Sequence, residues 1–148
     1  MRNSLVIAAT VMLWCSSCAD SPYIDVNELA GKTPPQVVEI IGEPDTTYVK
    51  KFMFRKVVHQ IYRDKDAELR YPEGGKIQTI LVKNTDLPFA QKTIEMFGLE
   101  PIPPTRVIKN TLINWKDYEN FSNVSIYSEH LTKDGIPDEY TIMFRYKK

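Results

Sequence analysis

Apolar residues along the chain recur first at helical spacing and then at strand spacing, and the sequence then repeats that order. Val37, Val38, Ile40 and Ile41 give one apolar side to a helix. Thr33 stands ahead of Pro34, Pro35 and Gln36, so Thr33 can cap the helix and Gln36 can reach back to it. Gly42 ends the helix and Pro44 prevents its return. On this pattern Ile41 is a core residue. Residues 48–63 are aromatic and β-branched and read as extended. Asp64, Lys65 and Asp66 form a turn. Ala67, Leu69 and Tyr71 alternate with Glu68 and Arg70 as a half-buried strand. Pro72, Glu73, Gly74 and Gly75 form a hairpin loop, and residues 76–83 are the next strand.

A second helix is predicted from about Phe89 to Phe97, opened by Asp86 and Pro88 and stopped by Gly98. Its buried side is Phe89, Ala90, Ile94 and Phe97. Strands are predicted over residues 106–115, 123–128 and 140–146. The second half therefore answers the first at an offset of about 55 to 60 residues. Ile41-Gly42 matches Phe97-Gly98, Tyr62-Arg63-Asp64 matches Trp115-Lys116-Asp117, and the strand from Thr79 to Lys83 matches that from Thr141 to Arg145. The predicted fold is α+β: an antiparallel sheet with two helices packed on one face, built as a tandem helix-plus-β-meander repeat. The units are residues 27–85 and 86–148.

The first residues carry a different signal. Arg2, the apolar run from Leu5 to Trp14, and Ser16-Ser17-Cys18 have the layout of a secretory signal peptide. The run is too short for a membrane span of roughly 20 residues. Residues 1–17 are expected to be removed, and Cys18 is expected to be acylated as the lipid anchor, with residues 18–26 as anchor and tether. Ala19 after the cysteine points to the outer membrane, facing the periplasm. Cys15 and Cys18 do not read as a redox pair, because no strand precedes them and no helix follows. Cleavage leaves Cys18 alone, so the fold depends on its core and not on a disulfide.

Composition narrows the classes. The chain has 148 residues, 43% hydrophobic and 26% charged, with 19 basic and 19 acidic side chains. A chain of this size buries enough surface for a self-sufficient core. Zero net charge gives no global case for nucleic acid.

Leu29, Gly31-Lys32-Thr33 and Val37, then Gly42 and Pro44, then an aromatic strand, a turn and a Gly-containing hairpin form a pattern. It resembles the small outer-membrane assembly lipoproteins (the SmpA/OmlA group) and, more broadly, the fold of the β-lactamase-inhibitor protein. The resemblance implies helices on one side of an antiparallel sheet and, in the inhibitor, a tandem repeat. It also implies protein binding without chemistry.

No catalytic constellation is legible. His59 and His130 lie far from a second ligand at zinc spacing. Gly31-Lys32-Thr33 lacks the earlier glycine of a phosphate loop and reads as a helix cap. Asp134-Gly135-Ile136-Pro137-Asp138 lacks the aspartates that calcium would need and reads as a turn. Metal and cofactor are expected to be absent. The remaining candidate is a sheet face. If Ile80, Val82, Ile142 and Phe144 pack under the helices, Leu81, Met143 and Arg145 turn outward with Thr79 and Thr141. Arg70 and Tyr127 join them from neighbouring strands. Leu, Met, Tyr and Arg together have the composition of an interface. The expected function is a membrane-anchored, non-catalytic protein-binding or scaffold module of a bacterial envelope. The alternative is an inhibitor or immunity protein that blocks an enzyme or toxin through the same face.

Overall fold

The computed structural model describes residues 22–83, 87–131 and 137–148 of the chain. Residues 1–17, expected as a signal segment, and Cys18, Asp86 and Asp134 to Ile136 lie outside the described residues. Helix α1 spans Pro34–Ile41. Gln36 Oε1 accepts hydrogen bonds from the Thr33 backbone N–H at 3.0 Å and from its hydroxyl at 3.1 Å. The helix closes at Gly42, whose φ of 91° suits glycine.

Eight strands follow: β1 Thr46–Phe52, β2 Arg55–Tyr62, β3 Ala67–Pro72, β4 Thr79–Lys83, β5 Arg106–Ile108, β6 Leu112–Lys116, β7 Phe121–Leu131 and β8 Pro137–Tyr146. They form one antiparallel sheet in the order β1-β2-β3-β4-β8-β7-β6-β5. Each half is a four-strand meander, and the two meanders join where β4 pairs β8.

Four segments differ from the sequence reading. The extended stretch 48–63 is a hairpin, turned at Met53 and Phe54. Met53 takes a left-handed φ of 53°, which a methionine does not advertise. The stretch 106–115 is likewise a hairpin, β5 and β6, with Asn110 at φ 57°. The second helix is a 3₁₀ helix, Gln91–Phe97, with Ala90 as its N-cap. Its hydrogen bonds run i to i+3, as from Thr93 N–H to the Ala90 carbonyl at 3.1 Å. The Thr93 hydroxyl donates back to the Pro88 carbonyl and holds the entry tight. Finally, the fold begins inside the expected tether. Ile24, Val26 and Leu29 are buried. The backbone N–H of Tyr23 donates to the Met96 carbonyl at 2.7 Å.

One continuous core unites Val37 of α1, Ile94 and Phe97 of the 3₁₀ helix, and the inward residues of one sheet face, including Leu69, Ile80, Ile142 and Phe144. Phe97 packs on Phe144 with ring centroids 4.9 Å apart. Val37 is the one fully buried residue of α1, while Ile40 and Ile41 are only half-buried at its rim. A short amphipathic helix therefore presents a narrower stripe than its apolar count implies. Among the described residues no helix is long and apolar enough to cross a membrane.

Candidate functional site

Alternation sends every second side chain of the sheet away from the helices. The register places Arg70 of β3, Leu81 of β4, Tyr127 of β7, and Met143 and Arg145 of β8 on that outer face. Leu81 lies opposite Met143, Thr79 opposite both Arg70 and Arg145, and Tyr127 opposite Thr141. All five predicted site residues thus share one face.

Their exposure differs. Arg145 is exposed, and Arg70, Tyr127 and Met143 are half-buried. Leu81 is expected to be exposed but keeps only 4% of its surface. It sits on a central strand between Glu68 and Met143, and neighbours on both sides close over it. It is absent from the core beneath the helices and is a local apolar floor of the outer face.

The sequence reading missed the polar cluster beside this floor. Glu68 Oε1 accepts from Arg70 Nε at 2.7 Å and stands 2.8 Å from His59 Nδ1. Lys83 Nζ lies 3.6 Å from Glu68 Oε2. The Glu68 side chain is 13% exposed and that of His59 8%. Burial by itself raises the Glu68 carboxyl. Hydrogen bonds from Arg70 and His59 and the charges of Arg70 and Lys83 outweigh burial and hold it at about 2. An ionised carboxylate only accepts, so His59 Nδ1 carries the proton in this contact. The Tyr48 ring stacks on His59, centroids 4.6 Å apart and planes 9° apart.

Glu68 and Arg70 are two apart on one strand, which the alternation does reveal. Bringing His59, Tyr48 and Lys83 to them depends on the β1-β2-β3-β4 register, which no local pattern encodes. In the other half of the face the contacts are amides: Asn114 Nδ2 donates to Asn123 Oδ1 at 2.6 Å, and Asn123 Nδ2 to Ser125 Oγ at 3.3 Å.

Charge is uneven across the molecule. On the outer face the strands carry Lys50, Arg70, Lys83, Arg106, Lys116 and Arg145, with Arg55 at the hairpin end. The described acids among those outward strand positions are Glu68 and, at the far end of β8, Glu139. A chain of zero net charge therefore presents a basic sheet face.

A depression of about 540 Å³ lies at the end of the sheet beside Lys76, Lys147 and Lys148. No acidic partner fixes any of these lysines among the described residues. On the outer face, by contrast, Glu68 fixes His59, Arg70 and Lys83. Among the described residues no three His, Cys, Asp or Glu side chains are grouped to hold a metal. Comparison of the chain with protein-family models, with curated proteins and with solved structures gave no match.

Proposed function

We propose that this protein is an exported bacterial envelope lipoprotein, acylated at Cys18 and held at the outer membrane. There it acts without chemistry as a protein-binding module whose docking surface is the outer sheet face. The observation that carries this reading is the basic outer face of a chain whose net charge is zero. Met143 and Tyr127 supply apolar and aromatic contact there, Arg145 a donor fork, and Leu81 a firm floor. That is an interface composition, and its charge selects an acidic partner surface.

In this reading the fold is a tandem duplication of the β-lactamase-inhibitor type, close to the small outer-membrane assembly lipoproteins. The sheet order supports duplication: each half is a helix and a four-strand meander, and the halves meet at strands whose sequences answer one another. Leu81 matches Met143 in the repeat and is also paired with it across the β4–β8 seam. Thr79, matched to Thr141, faces Arg145, which is matched to Lys83. Such reciprocity is what a local two-fold axis between equivalent units produces.

Two measurements test the reading. The intact mass of the mature protein should start at Cys18 and include acyl chains, and Cys18→Ser should move the protein to the soluble fraction. A mass retaining Met1, or one without acyl chains, removes the anchor. The soluble domain, residues 19–148 without the expected anchor, should capture an envelope protein, and Arg106→Glu with Arg145→Glu should lose it while circular dichroism is unchanged. Undiminished capture by that pair removes the sheet face as the docking surface.

A further inference from the structure

Between β1, β2 and the start of β4 the outer face sinks into a depression of about 340 Å³, lined by Lys50, Val57, His59, Arg70, Gln78 and Thr79. It is far larger than the ~30 Å³ share of one water molecule. Three basic side chains, Lys50, His59 and Arg70, meet there, and a carboxylate set beneath them fixes two. Glu68 binds Arg70 through Nε at 2.7 Å and His59 through Nδ1 at 2.8 Å. It therefore leaves the terminal guanidinium nitrogens of Arg70 and the Nε2 of His59 without a protein partner among the described residues. Tyr48 clamps the imidazole plane from one side. Lys50 is exposed and makes no ion pair among the described residues. A carboxylate that orients donors from behind is the arrangement by which binding sites pre-organise a first layer of contacts.

We infer that this depression is an oxyanion site, in which Lys50 and the Arg70 guanidinium hold a phosphate or carboxylate group against His59 and Thr79. Arg70 offers a planar pair of donors and Lys50 a mobile point charge. His59 Nε2 accepts the proton of a hydrogen phosphate, or donates once the ring is protonated. The Thr79 hydroxyl adds a further donor. Glu68 is a positioning residue: it touches the donors and not the ligand.

The site deepens the docking reading, resting on it only in taking this face as the one a ligand meets. Two probes distinguish the sources of the anion. Inorganic phosphate and a hexaglutamate peptide are titrated separately into the soluble domain, with the His59 ring followed by nuclear magnetic resonance. Saturable shifts with phosphate assign a phosphate group. Saturable shifts with hexaglutamate assign an acidic segment of a partner. In either case Lys50→Gln should weaken binding about tenfold, the loss of one charge-assisted hydrogen bond. Arg70→Gln should weaken it at least as much. Lys50→Gln removes no internal bond among the described residues, so it stays folded even if Arg70→Gln, which takes one of the three partners of Glu68, does not. Failure of both probes to shift the His59 ring saturably would overturn the site, as would binding that Lys50→Gln leaves unchanged. If phosphate binds while partner capture fails, the site stands and the docking reading falls.

Discussion

Single residues decide where this molecule gains from polar groups and where it loses. The Glu68 carboxyl is held at about 2, below the ordinary 4.5, because Arg70, His59 and Lys83 outweigh its burial. A depressed carboxyl stabilises the folded chain fully above the unfolded value, and that stabilisation is lost as pH falls through the folded one. Stability should therefore drop between pH 4.5 and about 2 by at most about 3 kcal/mol. Glu68→Gln should flatten that limb in urea melts at a series of pH values, and an unchanged acid limb would show that Glu68 is not its source. Two buried tyrosines make a second contrast. The Tyr146 hydroxyl donates to the Val26 carbonyl at 2.5 Å, whereas the buried Tyr71 hydroxyl has no hydrogen-bond partner among the described residues. Tyr146→Phe should cost about 1 kcal/mol, and Tyr71→Phe should be neutral or stabilising. Equal losses in denaturant melts would place a buried water on Tyr71.

At the scale of the element, stability follows burial more than apolar count. Helix α1 carries Val37, Val38, Ile40 and Ile41, yet only Val37 is fully buried. Val37→Ala should destabilise by about 2 kcal/mol, for two lost methyl groups and the cavity they leave. Ile41→Ala should cost about 1 kcal/mol, because its methyl groups are already partly in water. The opposite order in denaturant melts would mean that the helix packs through its C-terminal end. The β1–β2 hairpin turns on Met53 at φ 53°. A left-handed L-residue costs roughly 1–2 kcal/mol, so Met53→Gly should raise stability by about 0.5–1 kcal/mol after glycine's own entropy cost. The turn was illegible because it has no Gly, Asn or Pro; the strands on either side impose it.

The whole molecule is two meanders sewn together at β4 and β8, and its outer face has a fixed centre and a changeable rim. Leu81 is the centre, with 4% of its surface exposed beside Met143. Leu81→Asp would bury a carboxylate directly opposite that of Glu68 and should destabilise by about 3 kcal/mol or more. Arg145→Glu, at an exposed position without an ion pair among the described residues, should change stability by no more than about 0.5 kcal/mol. Both are read from melts of the soluble domain. Tolerance of Leu81→Asp would mean that the seam can open around it. In the proposed docking reading a partner's charge is read at the rim, so surface changes there should alter binding without unfolding.

Local chemistry in the chain was sufficient to determine α1 and its ends, the strand character of most of the sheet, and the shared outward direction of Arg70, Leu81, Met143 and Arg145. Caps, glycines and a period of two act over a few residues and need no distant partner. The likeness of Gly42 to Gly98 and of Thr79 to Thr141, on which the proposed duplication rests, is also a feature of the sequence. Tertiary structure alone decided the rest. It tightened the second helix to 3₁₀ form, drew Ile24 and Val26 into the core, and buried Leu81 from the side that alternation points to water. It also gathered His59, Arg70 and Lys83 around the Glu68 carboxylate. Burial on a central strand and contacts between strands depend on register and on what neighbouring strands place alongside, and those are properties of the assembled sheet.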